Sequence, residues 1–320
     1  MESEIVFQIQ PGPHWDWRVA LDLFLGGAGV GALLFAIGVD ELFRGRYRHI
    51  CQTAAWLSPL LVTAGLAFLL MKLGRPFDLM LTYSNFNPHS PLWWGGVFQP
   101  LLIIGGFWYA LKWNKAQRQP EAPDIGRRVL GWMLAPLAVI VGGYHGLLLA
   151  VVTARPLWNT GPTVMAAMLG FLATGISAVM LVHLARMKLG RRLADEAHLA
   201  TFLDDMTIIR NILVATLLLQ LGTFFLWWLS LSYGSLQDRQ ALDVANTAYG
   251  PMFWWLGIGL GLVLPLALGG LAILGGEAAH RTLQVSAIAL TSGMILVGSY
   301  FFRLAVVLGG QLDLSTLSLF

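Results

Sequence analysis

The chain alternates long, unbroken apolar runs with short polar interruptions. Eight runs reach membrane-spanning length, at roughly residues 16–42, 51–74, 91–113, 128–153, 161–187, 206–233, 250–275 and 281–310. Hydrocarbon about 30 Å thick takes about 20 helical residues to cross. In lipid, backbone groups are satisfied only inside helices or closed barrels, and continuous rather than alternating runs select helices. The pattern therefore predicts an all-α integral membrane protein with eight transmembrane helices. Composition agrees: 57% of the 320 residues are hydrophobic and 12% are charged, against about a quarter charged in soluble proteins.

Charges between the runs orient the chain. Arg44, Arg46 and Arg48 follow the first run, Lys112, Lys115, Arg118, Arg127 and Arg128 the third, Arg186, Lys188, Arg191 and Arg192 the fifth, and Arg281 the seventh. These thirteen face only five on the other side: Arg18, Lys72, Arg75, Arg155 and Arg239. The positive-inside rule then places both termini outside, which is periplasmic for a protein of a bacterial inner (cytoplasmic) membrane. Residues 1–14, "MESEIVFQIQPGPH", lack the basic-then-apolar order of a secretory signal, so the first run is read as retained. With the net charge of +3 seated largely in these connections, the expected surroundings are lipid, and no nucleic-acid partner is expected.

The two longest outer connections, 75–90 and 234–249, exceed the 2–8 residues or so that neighbouring helices need. They read either as solvated loops or as a docking surface for an outer partner. "LGRPFDL" and "TARPLWN" put an Arg-Pro at the outer end of two even-numbered runs. That echo divides the chain into halves 1–155 and 156–320, although a recurring proline helix stop gives the same pattern.

Ionisable residues within membrane spans are functional candidates, because an Asp at a helix centre costs about 2.5–3.5 kcal/mol to insert. Asp22 shares a helical stripe with Arg18, Gly26 and Gly29, and at about 1.5 Å per residue lies about 9 Å below Asp16. One reading pairs it with Arg18 across a helix contact; the other gives it a polar ligand. In the fourth run Tyr144 and His145 lie in the outer half, and in the eighth Arg303 follows Ser299 by one turn. Arg303 must snorkel outward or pair with an acid, and Asp22 is the best-placed acid at that depth. The expectation is one outer site containing Asp22, Tyr144 and Arg303, with Arg18 and His145 beside it. A quinone suits such a site, since each of its oxygens needs a hydrogen-bond partner and its redox chemistry moves two protons. Histidines at matched depth on facing helices are missing, so no haem is expected. The single cysteine, Cys51, excludes an iron–sulfur cluster ligated by cysteines of this chain alone. Asp40 and Glu41 read as ordinary inner-edge charges.

The segments "DLFLGGAGVGALLFA", "LGRPFDLMLTYSNFNPHSPLWWGGVF", "YHGLLLAVVTARPLWNTGP", "FWWLGIGLGLVLPL" and "GSYFFRLAVVLGGQ" together resemble the NrfD/polysulfide reductase membrane-subunit family, in order and across nearly the whole chain. The resemblance implies a haem-free subunit of two four-helix bundles that exchanges electrons between membrane quinone and an attached iron–sulfur subunit, which commonly serves a molybdopterin catalytic subunit. It also implies a quinone site near the outer face, with Tyr144 as one contact and Asp22 as the first-helix contact. Polysulfide reductase has a His at that first-helix position and an Asn three residues before it, where this chain has Asp22 and Val19. The expected function is quinol oxidation, with menaquinol the preferred substrate and ubiquinol the alternative. The competing readings are a secondary transporter or ion channel, a mere membrane anchor for the catalytic subunits, and a redox-coupled proton-translocating subunit.

Overall fold

The computed structural model describes residues 15–72, 85–87, 89–118, 124–190, 193, 195–274 and 281–312. Helices α1 (Trp17–Phe43), α2 (Arg48–Lys72), α3 (Pro91–Arg118), α4 (Ile125–Ala150) and α5 (Thr163–Leu189) follow in order. Then come α6 (Glu196–Ser232), α7 (Leu236–Gly250), a π-helical stretch (Pro251–Val263), α8 (Leu264–Leu274) and α9 (Arg281–Gly309). Among the described residues there is no strand. Eight helices are long and apolar enough to cross a membrane, one of them the continuous Leu236–Ile273 segment that contains the π-helical stretch.

Two boundaries differ from the hydropathy reading for the same reason. The 234–249 connection is mostly helix α7, opened by a capping box in which Ser235 and Asp238 satisfy each other's backbone N–H groups. Likewise α6 starts at Glu196, some way before the apolar run, with Asp195 accepting from the His198 N–H at its N-cap. Hydropathy marks the lipid-immersed part of a helix, and polar turns that project into water escape it. Arg75, Arg191, Arg192, the "LGRPFDL" motif and most of the 75–90 connection lie outside the described residues.

Helix α1 is the central element, packed against α2, α4, α5 and α9. Its crossing with α5 brings backbones together: a Cβ on Gly175 would stand 2.8 Å from the Ala28 carbonyl oxygen and closer still to Gly31. Small residues permit such approach where lipid offers no hydrophobic drive to association. The ends of the bundle are tied as well. Trp15 and Gln311 exchange two hydrogen bonds, of 2.8 and 2.7 Å, so both ends of the described chain meet at one end of the bundle. The "RPLWN" turn joins them there. Arg155 donates to the Gln311 carbonyl at 2.8 Å, Trp158 donates to the Val306 carbonyl at 2.7 Å, and the Trp158 ring stacks on Trp15.

Asp40 corrects its sequence reading. It is buried and bonded to Arg127 of α4, whose guanidinium lies 3.9 Å over the Trp113 ring of α3. Glu41 does meet Arg128 at the surface, as an ordinary edge charge would. Removing one partner of a buried pair leaves the other charge desolvated. Arg127→Leu is expected to cost about 3–5 kcal/mol, read as a large drop in melting temperature in detergent. The Asp40→Asn/Arg127→Leu double variant should recover much of that loss.

Candidate functional site

Two adjacent faces of α1 carry the candidate residues. Asp22, Gly26 and Gly29 form one face, and Leu23, Gly27 and Gly31 the next, because residues four apart stack along a helix. The first face meets α2 and α4. A Cβ on Gly65 of α2 would lie 3.0 Å from Asp22 Oδ1 and 2.9 Å from the Gly26 nitrogen, so the carboxylate lies flat against a helix stripped of side chain there. The second face meets α5, with Gly27 against the Phe171 ring and Gly31 against the Phe171 backbone.

Asp22 is only 1% exposed, and neither carboxylate oxygen has a hydrogen-bond partner among the described residues. Both proposed counter-ions are elsewhere. Arg18 turns outward to Asp16, at 2.9 Å, and to the Met71 carbonyl, while Lys72 approaches Asp16 at 3.3 Å. Burial works to raise the Asp16 carboxyl, but the Arg18 hydrogen bonds and the Lys72 charge outweigh it and hold the group below its usual range. Arg18 therefore belongs to a charged cluster at the mouth of α1, because Asp16, two residues away and nearer water than Asp22, reaches it first.

Arg303 is also separate from Asp22. Its guanidinium donates to the Ser299 carbonyl at 2.9 Å and lies 5.0 and 5.7 Å from the Phe171 and Phe24 ring centres. Among the described residues it forms no ion pair. The single site expected from depth alone is thus two loci, because equal depth fixes height along the bundle and says nothing of the face on which a side chain lies.

Tyr144 remains with Asp22. It is 5% exposed, within electrostatic reach of the carboxylate, and its ring rests on Gly95 of α3, where a Cβ would lie 2.6 Å from Cε1. His145 is fully buried between the loci, with Nδ1 2.8 Å from the Val141 carbonyl and Nε2 3.0 Å from Gln99 Nε2. The carbonyl can only accept, so Nδ1 carries the proton and Nε2 accepts from the Gln99 amide. Both nitrogens are engaged within the protein, which makes His145 a positioning residue beside the loci. Gln99, 2% exposed, escapes the sequence reading: a lone amide in an apolar run carries no spacing signal. No group of three metal-ligating side chains occurs among the described residues.

An all-helical chain with eight helices long and apolar enough to cross a membrane, and with buried ionisable groups unpaired among the described residues, defines a multi-pass membrane protein. Residues 6–315 match the family described as "Polysulphide reductase, NrfD", and the chain belongs to that family. It is 26% identical to Protein NrfD of Escherichia coli (strain K12), over 94% of this chain and 96% of that protein. The C component of polysulfide reductase from Wolinella succinogenes is 26% identical over 79% of this chain and 82% of its own length. The C component of selenate reductase from Mesobacillus selenatarsenatis is 22% identical over 53% and 47%, respectively.

Proposed function

We propose that the chain is the quinone-reactive membrane subunit of a respiratory oxidoreductase complex. In this reading it takes electrons from membrane quinol, menaquinol in the first instance, and passes them to an attached iron–sulfur subunit. A molybdopterin subunit in the same complex performs the terminal chemistry. Family membership and the relatives named as reductase components support the assignment. The excess of cationic residues on the opposite connections supports an inner-membrane orientation with both termini and the partner subunits on the periplasmic side.

The observation that carries the reading is the Asp22 carboxylate, buried with both oxygens unpartnered among the described residues and within electrostatic reach of Tyr144. An intramembrane acid without a protein counter-ion is costly to maintain for packing alone. A bound quinol supplies two electrons and two protons. Asp22 is suited to accept a hydrogen bond from a quinol hydroxyl and to take its proton. Tyr144 is suited to the second hydrogen bond, its ring held in place by the contact with Gly95. Gln99 and His145 brace the wall, since each satisfies the other's polar group.

The test is purification with whatever copurifies, identification of the partners, and quinol oxidation by wild type and Tyr144→Phe. Loss of one hydrogen bond, about 1–1.5 kcal/mol, should slow oxidation by about tenfold with assembly intact. A wild-type rate would remove Tyr144 from the site. Solute uptake independent of quinone, with no iron–sulfur partner, would instead make the chain a transporter.

A further inference from the structure

Beyond the α1–α5 seam lies a cavity of about 80 Å³ bounded by α5, α6, the π-helical stretch and α9, with Leu23 of α1 and His145 on its near side. Asp22 and Tyr144 do not line it. Its wall is aromatic, from Phe171, Phe224, Trp227 and Phe302, and its polar lining is Arg303, Gln220, Ser299, Thr163 and His145.

Two of these polar groups lack what they need. Arg303 is 9% exposed, and of its five N–H donors only one has an acceptor among the described residues, the Ser299 carbonyl. Gln220 Oε1 is buried without a donor among the described residues. The two side chains converge on one point of α5: a Cβ at Gly170 would stand 3.5 Å from Arg303 Nη2 and 3.3 Å from Gln220 Nε2. Buried polar groups are ordinarily satisfied, and unfilled guanidinium donors in a cavity wall that also carries an amide oxygen short of a donor describe a missing ligand atom.

An atom that accepts from the guanidinium and donates to the amide oxygen would satisfy both groups. A carboxylate would accept but leave Gln220 Oε1 without a donor. A phosphate would do the same, with one guanidinium to balance its charge. A hydroxyl meets both demands, and the aromatic wall favours one carried on a ring. The cavity volume is several times the 10–15 Å³ or so that one water requires.

We propose that this cavity is a second binding site for a hydroxylated aromatic headgroup, a quinol, separated by α1 from the Asp22–Tyr144 locus. The choice of quinol among hydroxylated rings rests on the function proposed above; the hydroxyl and the ring rest on Arg303, Gln220 and the aromatic wall. Arg303 donates to the headgroup oxygen, and the headgroup O–H donates to Gln220.

The test uses the purified complex, stripped of endogenous quinone, with a short-chain quinol for binding stoichiometry and an azidoquinone for photolabelling. Wild type should bind two quinols per chain and label peptides of α5 and α9 as well as α1 and α4. Gln220→Leu and Arg303→Leu should each reduce the count to one and abolish α5 and α9 labelling. Gln220→Leu, being neutral and partly buried, keeps the test usable if Arg303→Leu fails to fold. Arg303→Lys, which keeps the charge and loses the planar fork, should weaken that site by about tenfold or more. The Asp22→Asn/Tyr144→Phe variant should weaken binding of the other quinol only, by about tenfold for the lost Tyr144 hydrogen bond. One quinol per wild-type chain with α5 and α9 unlabelled would overturn the proposal, as would unchanged binding by a folded Gln220→Leu variant. Phospholipid retained by wild type and lost from Arg303→Leu, without quinol binding there, would also overturn it. Binding that responds only to Arg303 and Gln220 would uphold this site and remove Asp22 and Tyr144 from quinol binding.

Discussion

Asp22→Asn is expected to lower quinol-dependent electron transfer by about 100-fold or more while the complex still assembles. The substitution preserves shape and leaves one oxygen able to accept a hydrogen bond, so quinol binding should fall little. What it removes is the capacity to take a proton, and positioned proton transfer typically contributes about 10²–10⁴-fold. The loss should therefore appear in kcat more than in KM. Stability gives an independent readout of opposite sign. Because both Asp22 oxygens are buried without partners among the described residues, the ionised carboxylate is a burden on the fold. An amide relieves it, so the variant should melt at the same temperature as wild type or higher. Such a trade of stability for activity is expected at functional sites. A structural Asp22 would give the reverse: a lower melting temperature with turnover reduced only in proportion to folded protein. Wild-type turnover with intact assembly would remove Asp22 from the reaction.

How much of this was legible in the sequence depended on the physical signal. The eight spans were legible because hydrocarbon imposes length and apolarity together, and all eight reappear as helices. The start of α6 and the whole of α7 were not, because polar helix in water carries no hydropathy signal and only the caps at Asp195 and Ser235 betray it. Asp22 and Tyr144 were legible as candidates from periodicity, depth and family resemblance, and the structure brings them within electrostatic reach. Periodicity also put Arg18 on the Asp22 stripe, yet Asp16 captures it. Depth made Asp22 the best-placed acid for Arg303, with snorkelling outward as the alternative; only interhelical packing could show that its guanidinium faces Phe171. Gln99 and Gln220 had no sequence signature, since a single amide in an apolar run becomes informative only when its neighbours across the bundle are known.

Gly175→Val is expected to produce the largest loss of folded protein. A Cβ there meets backbone atoms of α1, at Ala28 and Gly31, rather than a side chain that could swing aside. Overpacking a core typically costs about 1–3 kcal/mol, with side-chain movement absorbing part of the strain. Here relief requires moving a whole helix, so the cost should exceed that range, and little monodisperse protein should be recovered in detergent. Gly38→Ala provides the contrast: nothing lies within 4 Å of a Cβ at that position, and the change should be nearly neutral. The milder Gly175→Ala tests function more sharply. α1 carries Asp22 on one face and Leu23 on the next, so displacing it from α5 alters both loci at once. In the surviving folded fraction, turnover per molecule should fall, because a displacement of about 1 Å can cost about 100-fold where proton transfer depends on alignment. Wild-type turnover per folded Gly175→Ala molecule would show that the α1–α5 seam sets stability alone and that the Asp22 locus is held in place by α2 and α4.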